Sequence, residues 1–346
     1  MRNRKQEPDR TGLYRSMLTS RRLEEEISKL WLDGRISGEM HLGMGEEGIV
    51  AGVLDHLTND DAVAADHRST PPMVMKGVDL TAIVAECLGS ETGLGRGLGG
   101  HMHLMSKEHL AAASGIVGSS GPLACGFALA HQHLRPDRVA VAFFGEGAMN
   151  QGMLMESLNL AGAWNLAVLF ICKNNGMAIT TESKRVTSGS LIERVRGFGI
   201  PAVAVEGARV EDVWRAASEA IQRGRRGGGP SFLHASCVRP EGHFLGDPLL
   251  RMVRQPVAEL RDKLGPLLQS TTRGSGAGAG SRAASLGGIA KMVSSAASMR
   301  GHDPIRRLRK RLGLERAELE VLEREVDDKV RAAVDTAVAS LHEDRR

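Results

Sequence analysis

Glu146 and the pair Asn174-Asn175 are the residues whose types and positions first suggest chemistry. Each follows an apolar run, Val139–Phe144 and Leu166–Cys172, that reads as a strand buried on both faces. Open α/β sheets bind ligands beyond the carboxyl ends of their strands. Gly145 and Gly147 flank Glu146 and let the backbone turn sharply and approach a ligand closely. The helix expected next presents free N–H groups, which suit an anion. A carboxylate oxygen, an amide oxygen and a nearby backbone carbonyl suit a hard cation. Magnesium takes about six oxygens and draws several from phosphate and water. The residues therefore fit a magnesium–diphosphate site. They fit equally well two ordinary strand-to-helix turns in which Asn serves for its tolerance of left-handed geometry. Gly95-Arg96-Gly97-Leu98-Gly99-Gly100 has the spacing of a dinucleotide loop, but it follows a helix-like run rather than a strand.

The elements that must position these residues follow from periodicity. Residues 11–34 place Leu13, Met17, Leu18, Leu23, Ile27 and Leu30 at helical spacing. Helices are expected over Gly43–Leu57, Leu80–Leu88, Val117–His133 and Gly152–Trp164, and a short strand over Asp61–Ala65. Strand Val139–Phe144, helix Gly152–Trp164 and strand Leu166–Cys172 make a βαβ unit, which implies a parallel crossover. Strand Ala202–Val205, helix Val210–Arg223 and strand Phe232–Val238 extend it. The expected class is a doubly wound α/β fold with a mostly parallel sheet, centred on roughly residues 40–245. The expected organisation is a flexible arm at 1–10, an α/β domain at 11–265, a Gly/Ser/Ala-rich linker at 266–300 and a helical segment at 301–346. In that segment Leu319, Leu322, Val326, Val330, Val334 and Val338 form an amphipathic stripe, and the basic run 306–311 reads as a solvated face at the start of the helix.

Composition narrows the classes. Apolar residues at 42% and charged residues at 25% are globular values and exclude collagen-like and wholly disordered chains. Lys plus Arg is 45 against 41 acidic residues, and a net charge of +4 is too small and scattered to argue for nucleic acid. Cys87, Cys125, Cys172 and Cys237 form no CxxC pair and read as reduced core residues. No apolar run approaches the ~18 residues of a membrane span, and residues 1–10 have no apolar leader core, so a cytoplasmic protein without a membrane is expected.

Gly145-Glu146-Gly147 followed, beyond residues 148–173, by Asn174-Asn175 resembles the thiamine-diphosphate motif. The text between, Ala148-Met149-Asn150-Gln151-Gly152 and Glu156-Ser157-Leu158-Asn159-Leu160-Ala161, resembles the alpha subunit of the decarboxylating first component of 2-oxo acid dehydrogenase complexes of the pyruvate, branched-chain and acetoin types. The likeness covers most of residues 11–262 and resumes at Asp303-Pro304-Ile305. His41 with Gly45 and Glu47 matches its His-x-x-x-Gly-x-Glu motif, and His67-Arg68 its aromatic-or-His plus Arg pair. Gly99-Gly100-His101-Met102-His103 matches a Gly-Gly-Ser-Met-His loop, and Gly115-Ile116-Val117-Gly118 the loop that meets the aminopyrimidine. Arg239 and Gly242-His243 match its Arg-x-x-Gly-His loop, with Asp247-Pro248 following.

The resemblance implies two cofactors, thiamine diphosphate and Mg2+. It implies Glu146, the side chain of Asn175 and the carbonyl of Met177 as metal ligands. His67, Arg68, Gly115, Val117, Gly145, Gly147, Ala148, Asn175 and His243 would meet thiamine diphosphate, with Arg68 reaching the diphosphate. His41 and His243 would be catalytic, a role that an imidazole with an ordinary pKa of about 6.5 can fill as acid or base near neutrality. His101, His131, His133 and His234 are expected to be structural. The implied partners are a beta subunit in an α2β2 assembly, which supplies the carboxylate that activates the aminopyrimidine, a lipoyl-bearing acyltransferase component, and a small 2-oxo acid or acetoin substrate.

The chain departs from the pattern in places. Glu146 stands where Asp is usual, which pushes the carboxylate outward by about 1 Å. Ser69-Thr70-Pro71-Pro72 follows Arg68, so a substrate-side His is missing. Phe244 stands where animal mitochondrial members carry a regulatory Ser. His67-Arg68 and the Gly242–Asp247 loop lean toward the acetoin type. Three other readings compete: a non-catalytic assembly subunit of the same fold, the diphosphate-binding half of a split transketolase, and a nucleic-acid binder, which would show steeply salt-dependent binding.

Overall fold

The computed structural model describes residues 7–179, 181–245 and 301–343. Helix α1 (Arg10–Leu32) starts at Asp9, whose carboxylate accepts the Gly12 N–H. There follow α2 (Glu47–Leu54), β1 (Ala62–Ala65), α3 (Thr70–Lys76), α4 (Leu80–Leu88), β2 (Met105–Ser106), β3 (Ala111–Ala113), α5 (Ser120–Leu134), β4 (Ala140–Gly145), α6 (Gly152–Ala163) and β5 (Val168–Asn174). Then come the small hairpin β6 (Met177–Ala178) and β7 (Thr181–Glu182), α7 (Ser183–Val186), α8 (Leu191–Arg196), β8 (Ala202–Glu206), α9 (Val210–Arg225) and β9 (Ser231–Ser236). Helices α10 (Pro304–Arg309) and α11 (Arg316–Glu343) close the described chain.

The main sheet runs β2-β3-β1-β4-β5-β9-β8, parallel throughout except for the antiparallel edge pair β2–β3. Side chains alternate across it. Val63, Ala65, Val141, Phe143, Leu169, Ile171, Leu233 and Ala235 face a core shared with α1, α2, α4 and α9. Ala62, Ala64, Ala140, Ala142, Phe144, Val168, Phe170, Cys172 and Phe232 face a second core shared with α5, α6 and α8. Helices thus cover both faces, as doubly wound folds require. The expected fold class is observed.

The differences have local causes. Helix α2 starts at Glu47, not Gly43, because Gly45 takes φ +93° and a Cβ there would lie 2.0 Å from the Val238 carbonyl oxygen. Helix α5 starts at Ser120 because Gly118 sits at φ +91°. Helix α3 was not expected at all: Pro71 and Pro72 fall in its first turn, where a missing N–H has no helical partner to lose. Residues Ile305, Leu308, Leu322, Val326, Val330 and Val334 join the first core, and α11 packs on α1 and α4. The basic run is solvated as expected, with Arg306, Arg309, Lys310 and Arg311 exposed, but it does not open the last helix. Its first four residues lie in the separate helix α10, and Arg307 pairs with Glu206, Arg309 with Glu323 (2.9 Å) and Arg311 with Glu211. The linker at 266–300 and Asp247-Pro248 lie outside the described residues. All four cysteines are free thiols. No helix among the described residues is long and apolar enough to cross a membrane.

Candidate active site

Because the central strands are parallel, β1, β3, β4, β5 and β9 all end at one edge of the sheet. Their exits deliver Asp66-His67-Arg68, Gly115-Ile116-Val117, Gly145–Ala148, Asn174-Asn175 and Arg239 to that edge. The loop before α2 adds His41 and Glu46. The loop after β9 adds His243, and the N–H of the following Leu245 donates to the Met40 carbonyl at 2.8 Å, tying the two loops together.

His41, His67 and His243 meet there, with one ring nitrogen from each lying within 4.8 Å of the others. The His41 ring stands edge-on to both His67 (4.9 Å, 83°) and His243 (5.0 Å, 86°). Burial, then His67, Arg68, His101 and His243, push the His41 pKa down to about 2. Burial also dominates at His67, and Arg68 and Lys173 outweigh the opposing pull of Asp66, leaving it at about 3. These imidazoles are therefore neutral at physiological pH, not balanced between acid and base as an ordinary histidine would be. Three imidazoles this close together are also metal-ligand chemistry. Here, however, the Arg68 guanidinium sits 3.3 Å from His243 Nδ1, and a cation bonded to the trio works against a second one.

Arg68 is 1% exposed and stitches two loops: it donates to the Leu42 carbonyl (2.6 Å) and to the His243 carbonyl (2.6 Å). Beneath it lies a buried charge network. Glu46 accepts from Lys173 Nζ at 2.6 Å through Oε2, and its Oε1 lies 4.0 Å from Arg68 Nε and 3.7 Å from Arg239. Lys173 also donates to Asp66 at 3.0 Å. Burial opposes the charge on Lys173, but Asp66 and Glu46 outweigh it and hold its pKa above the usual lysine range. Burial likewise opposes the charge on Asp66, yet Lys173 and its other cationic neighbours bring it to about 2. The readable signal was a lysine ending an otherwise apolar strand.

Two of the oxygens expected to hold a metal share a partner. Arg239 donates to Asn175 Oδ1 at 2.5 Å, and the same nitrogen lies 3.4 Å from the Met177 carbonyl oxygen. Glu146 is 2% exposed. Its Oε1 accepts from Ser183 Oγ (2.7 Å), and its Oε2 faces the Asn175 N–H (3.4 Å). The extra methylene of Glu is taken up by reaching the first residue of α7. Asn175 Oδ1 and the Met177 carbonyl thus share one cationic partner, so these two oxygens are placed to face a cation. Arg239 is thus a site residue, one that the Arg-x-x-Gly-His spacing alone could have flagged.

Several expectations change in detail. Gly145 and Gly147 adopt no left-handed backbone, since neither has a positive φ. Gly147 is needed instead for close approach, a Cβ there lying 3.0 Å from Ala178 Cβ. The turn after β4 is 3-10 over Glu146–Asn150, and α6 begins only at Gly152. Asn174 and Asn175 avoid left-handed geometry too. Asn174 is structural: it accepts from the Gly176 N–H (2.7 Å) and meets His234 Nε2 (2.8 Å). Ile116 and Val117 project outward, 62% and 50% exposed, and Gly115 precedes them. The Gly95–Gly100 loop binds an anion, but an internal one. Glu86 accepts from the N–H groups of Gly95 (2.6 Å), Gly97 (2.9 Å), Gly99 (2.7 Å) and Gly100 (3.2 Å). His101 lies inside the site beside His41, not apart from it.

Comparison with known proteins agrees with this architecture. The sequence profile of the dehydrogenase E1 component family matches residues 15–269. The chain is 40% identical over 237 residues to the alpha subunit of acetoin:2,6-dichlorophenolindophenol oxidoreductase of Bacillus subtilis, covering 68% of this chain and 71% of that protein. The protein of the same name from Cupriavidus necator is 43% identical over the same shares. The pyruvate dehydrogenase E1 component subunit alpha of Zymomonas mobilis is 37% identical over 257 residues, 73% of each chain. Among solved structures, transketolase from Campylobacter jejuni shares the fold at 18% identity with a TM-score of 0.52, over 65% of this chain and 37% of the transketolase, so the chain spans little more than a third of it. With a family profile over most of its length and relatives at these identities, the chain belongs to the dehydrogenase E1 component family.

Proposed function

We propose that this chain is the alpha subunit of a thiamine-diphosphate- and magnesium-dependent enzyme. It cleaves the bond beside the carbonyl of a pyruvate-like 2-oxo acid or of acetoin, and passes the acyl unit to a lipoyl-bearing component. The observation that carries the reading is the meeting of His41, His67 and His243 beside the Glu146–Asn175–Met177 oxygen set, joined through Arg239, Glu46 and Arg68. Glu146, the Asn175 amide and the Met177 carbonyl hold magnesium, a hard cation that favours oxygen donors. Backbone at Gly145, Gly147 and Ala148, with Gly115, Val117, His67, Arg68 and His243, lines the cofactor. When bound, thiamine diphosphate supplies the electron sink, and the protein supplies orientation and proton handling. His41 and His243 orient the substrate carbonyl and hold protons beside it. The neutral state of His41 makes it an acceptor first.

A beta subunit completes the site in an α2β2 assembly. The relatives are themselves named alpha subunits. Apolar side chains at Leu98 (90% exposed), Ile116 and Val117 give a partner surface to bury. Titration of thiamine diphosphate into the chain co-expressed with its candidate beta subunit, with and without magnesium, tests the reading. Magnesium-dependent binding that Glu146→Ala abolishes supports it. An intact complex that binds no cofactor overturns it and leaves an assembly subunit of the same fold.

A further inference from the structure

We infer that His101, standing where the matching loop carries Ser, is a positioning residue that fixes the tautomer of His41. The inference rests on the proposed role of His41 for its functional consequence, but not for its geometry. The His41 backbone N–H donates to His101 Nε2 at 3.0 Å. A ring nitrogen that accepts an N–H carries no proton, so neutral His101 has its proton on Nδ1. His41 Nδ1 lies 3.1 Å from that same bare nitrogen. Two bare nitrogens facing each other would repel, so His41 Nδ1 carries a proton and donates it. Neutral His41 then has its lone pair on Nε2. The two ring planes lie within 18° of parallel, which lets the Nδ1–H point along the acceptor's lone pair.

His101 is held for this task. The residue is 8% exposed, and its carbonyl accepts from Ser69 Oγ at 2.7 Å. The residues just before it, Gly99 and Gly100, are pinned through their N–H groups to the buried carboxylate of Glu86. Burial, with Arg68 and His103, lowers the His101 pKa to about 4, so the ring stays neutral and able to accept. The consequence for the site is directional. His41 takes a proton or a hydrogen bond at Nε2 and does not donate from that atom in its resting state. A serine at 101 has no atom at the place of Nε2 and leaves His41 free to adopt either tautomer.

Imidazole 15N NMR of the histidine-labelled complex with the beta subunit tests this directly, with His41→Gln used to assign the signal. The expected result is a single His41 tautomer with a protonated Nδ1 and a bare Nε2. In H101S the other tautomer should appear. Acetoin- or pyruvate-dependent reduction of 2,6-dichlorophenolindophenol should then fall about tenfold in kcat, with little change in KM for thiamine diphosphate. H101Q, whose side-chain oxygen reaches about as far as Nε2, should rescue both the tautomer and most of the turnover. A wild-type His41 protonated on Nε2, or a tautomer unmoved in H101S, would overturn the inference. A tautomer that shifts in H101S while turnover stays constant would uphold the geometry and overturn the role of His41 in the reaction.

Discussion

At the scale of single residues, the site is organised by charges largely withdrawn from solvent. Lys173 and Glu46 are both buried, and their contact is one edge of a network that includes Asp66, Arg68 and Arg239. Removing one partner of a buried pair is costly because the other charge is left uncompensated. Lys173→Met strips Asp66 and Glu46 of their ammonium and leaves Glu46 with guanidinium groups no closer than 3.7 Å. The expected loss is about 3 kcal/mol in urea unfolding. The double variant Lys173→Met, Glu46→Gln should recover part of it. If the single variant unfolds at the wild-type urea concentration, the network is not what holds these loops together.

At the scale of elements, the glycine loop between α4 and β2 is the clearest case of one carboxylate ordering a segment. Oε2 of Glu86 serves Gly95 and Gly97, and Oε1 serves Gly99 and Gly100. Glu86→Gln turns one oxygen into a donor facing N–H groups, which leaves two of them unsatisfied. About 2–3 kcal/mol should be lost. Amide exchange across Gly95–Gly100 should accelerate by at least about tenfold while β4 and β5 stay protected. Uniform acceleration over the whole chain would instead show that Glu86 supports global stability only. The same loop shows what a sequence conceals. Its spacing imitates a phosphate loop, and only the fold reveals that the anion comes from the preceding helix. The long apolar strands β4, β5 and β9 were legible because burial on both faces writes an unbroken apolar run. Strand β3 was not, since Ala111–Ala113 has no β-branched or aromatic residue and exists by pairing with β1. Likewise His41, His67 and His243 could be named from their motifs. That Arg239 gathers Asn175 and Met177, or that His101 meets His41, depends on loops far apart in sequence whose approach no local pattern encodes.

At the scale of the whole molecule, buried titratable groups set a stability optimum. His41, His67 and His101 have folded pKa values of about 2, 3 and 4, each below an ordinary histidine. Below about pH 6.5 the unfolded chain takes up three protons that the folded chain refuses. Each therefore removes up to about 1.4 kcal/mol of stability per pH unit as pH falls. Glu24 has the opposite sign. Burial, reinforced by Glu47 and opposed by the Gly43 N–H, raises its pKa to about 8. The folded state keeps a proton that the unfolded chain releases near 4.5, so this contribution is whole below 4.5 and is lost as pH rises to about 8. Between 4.5 and 6.5 three groups outweigh one, and stability climbs with pH. Above 6.5 Glu24 acts alone among these four, and stability declines gently. Urea unfolding midpoints from pH 4.5 to 8.5 should peak near 6.5, with the acid side the steeper. Glu24→Gln should flatten the alkaline side and leave the acid side untouched. A midpoint in the native chain that keeps rising through pH 8 would mean that Glu24 is ionised in the fold, and that Arg21 or the Gly43 N–H carries its charge.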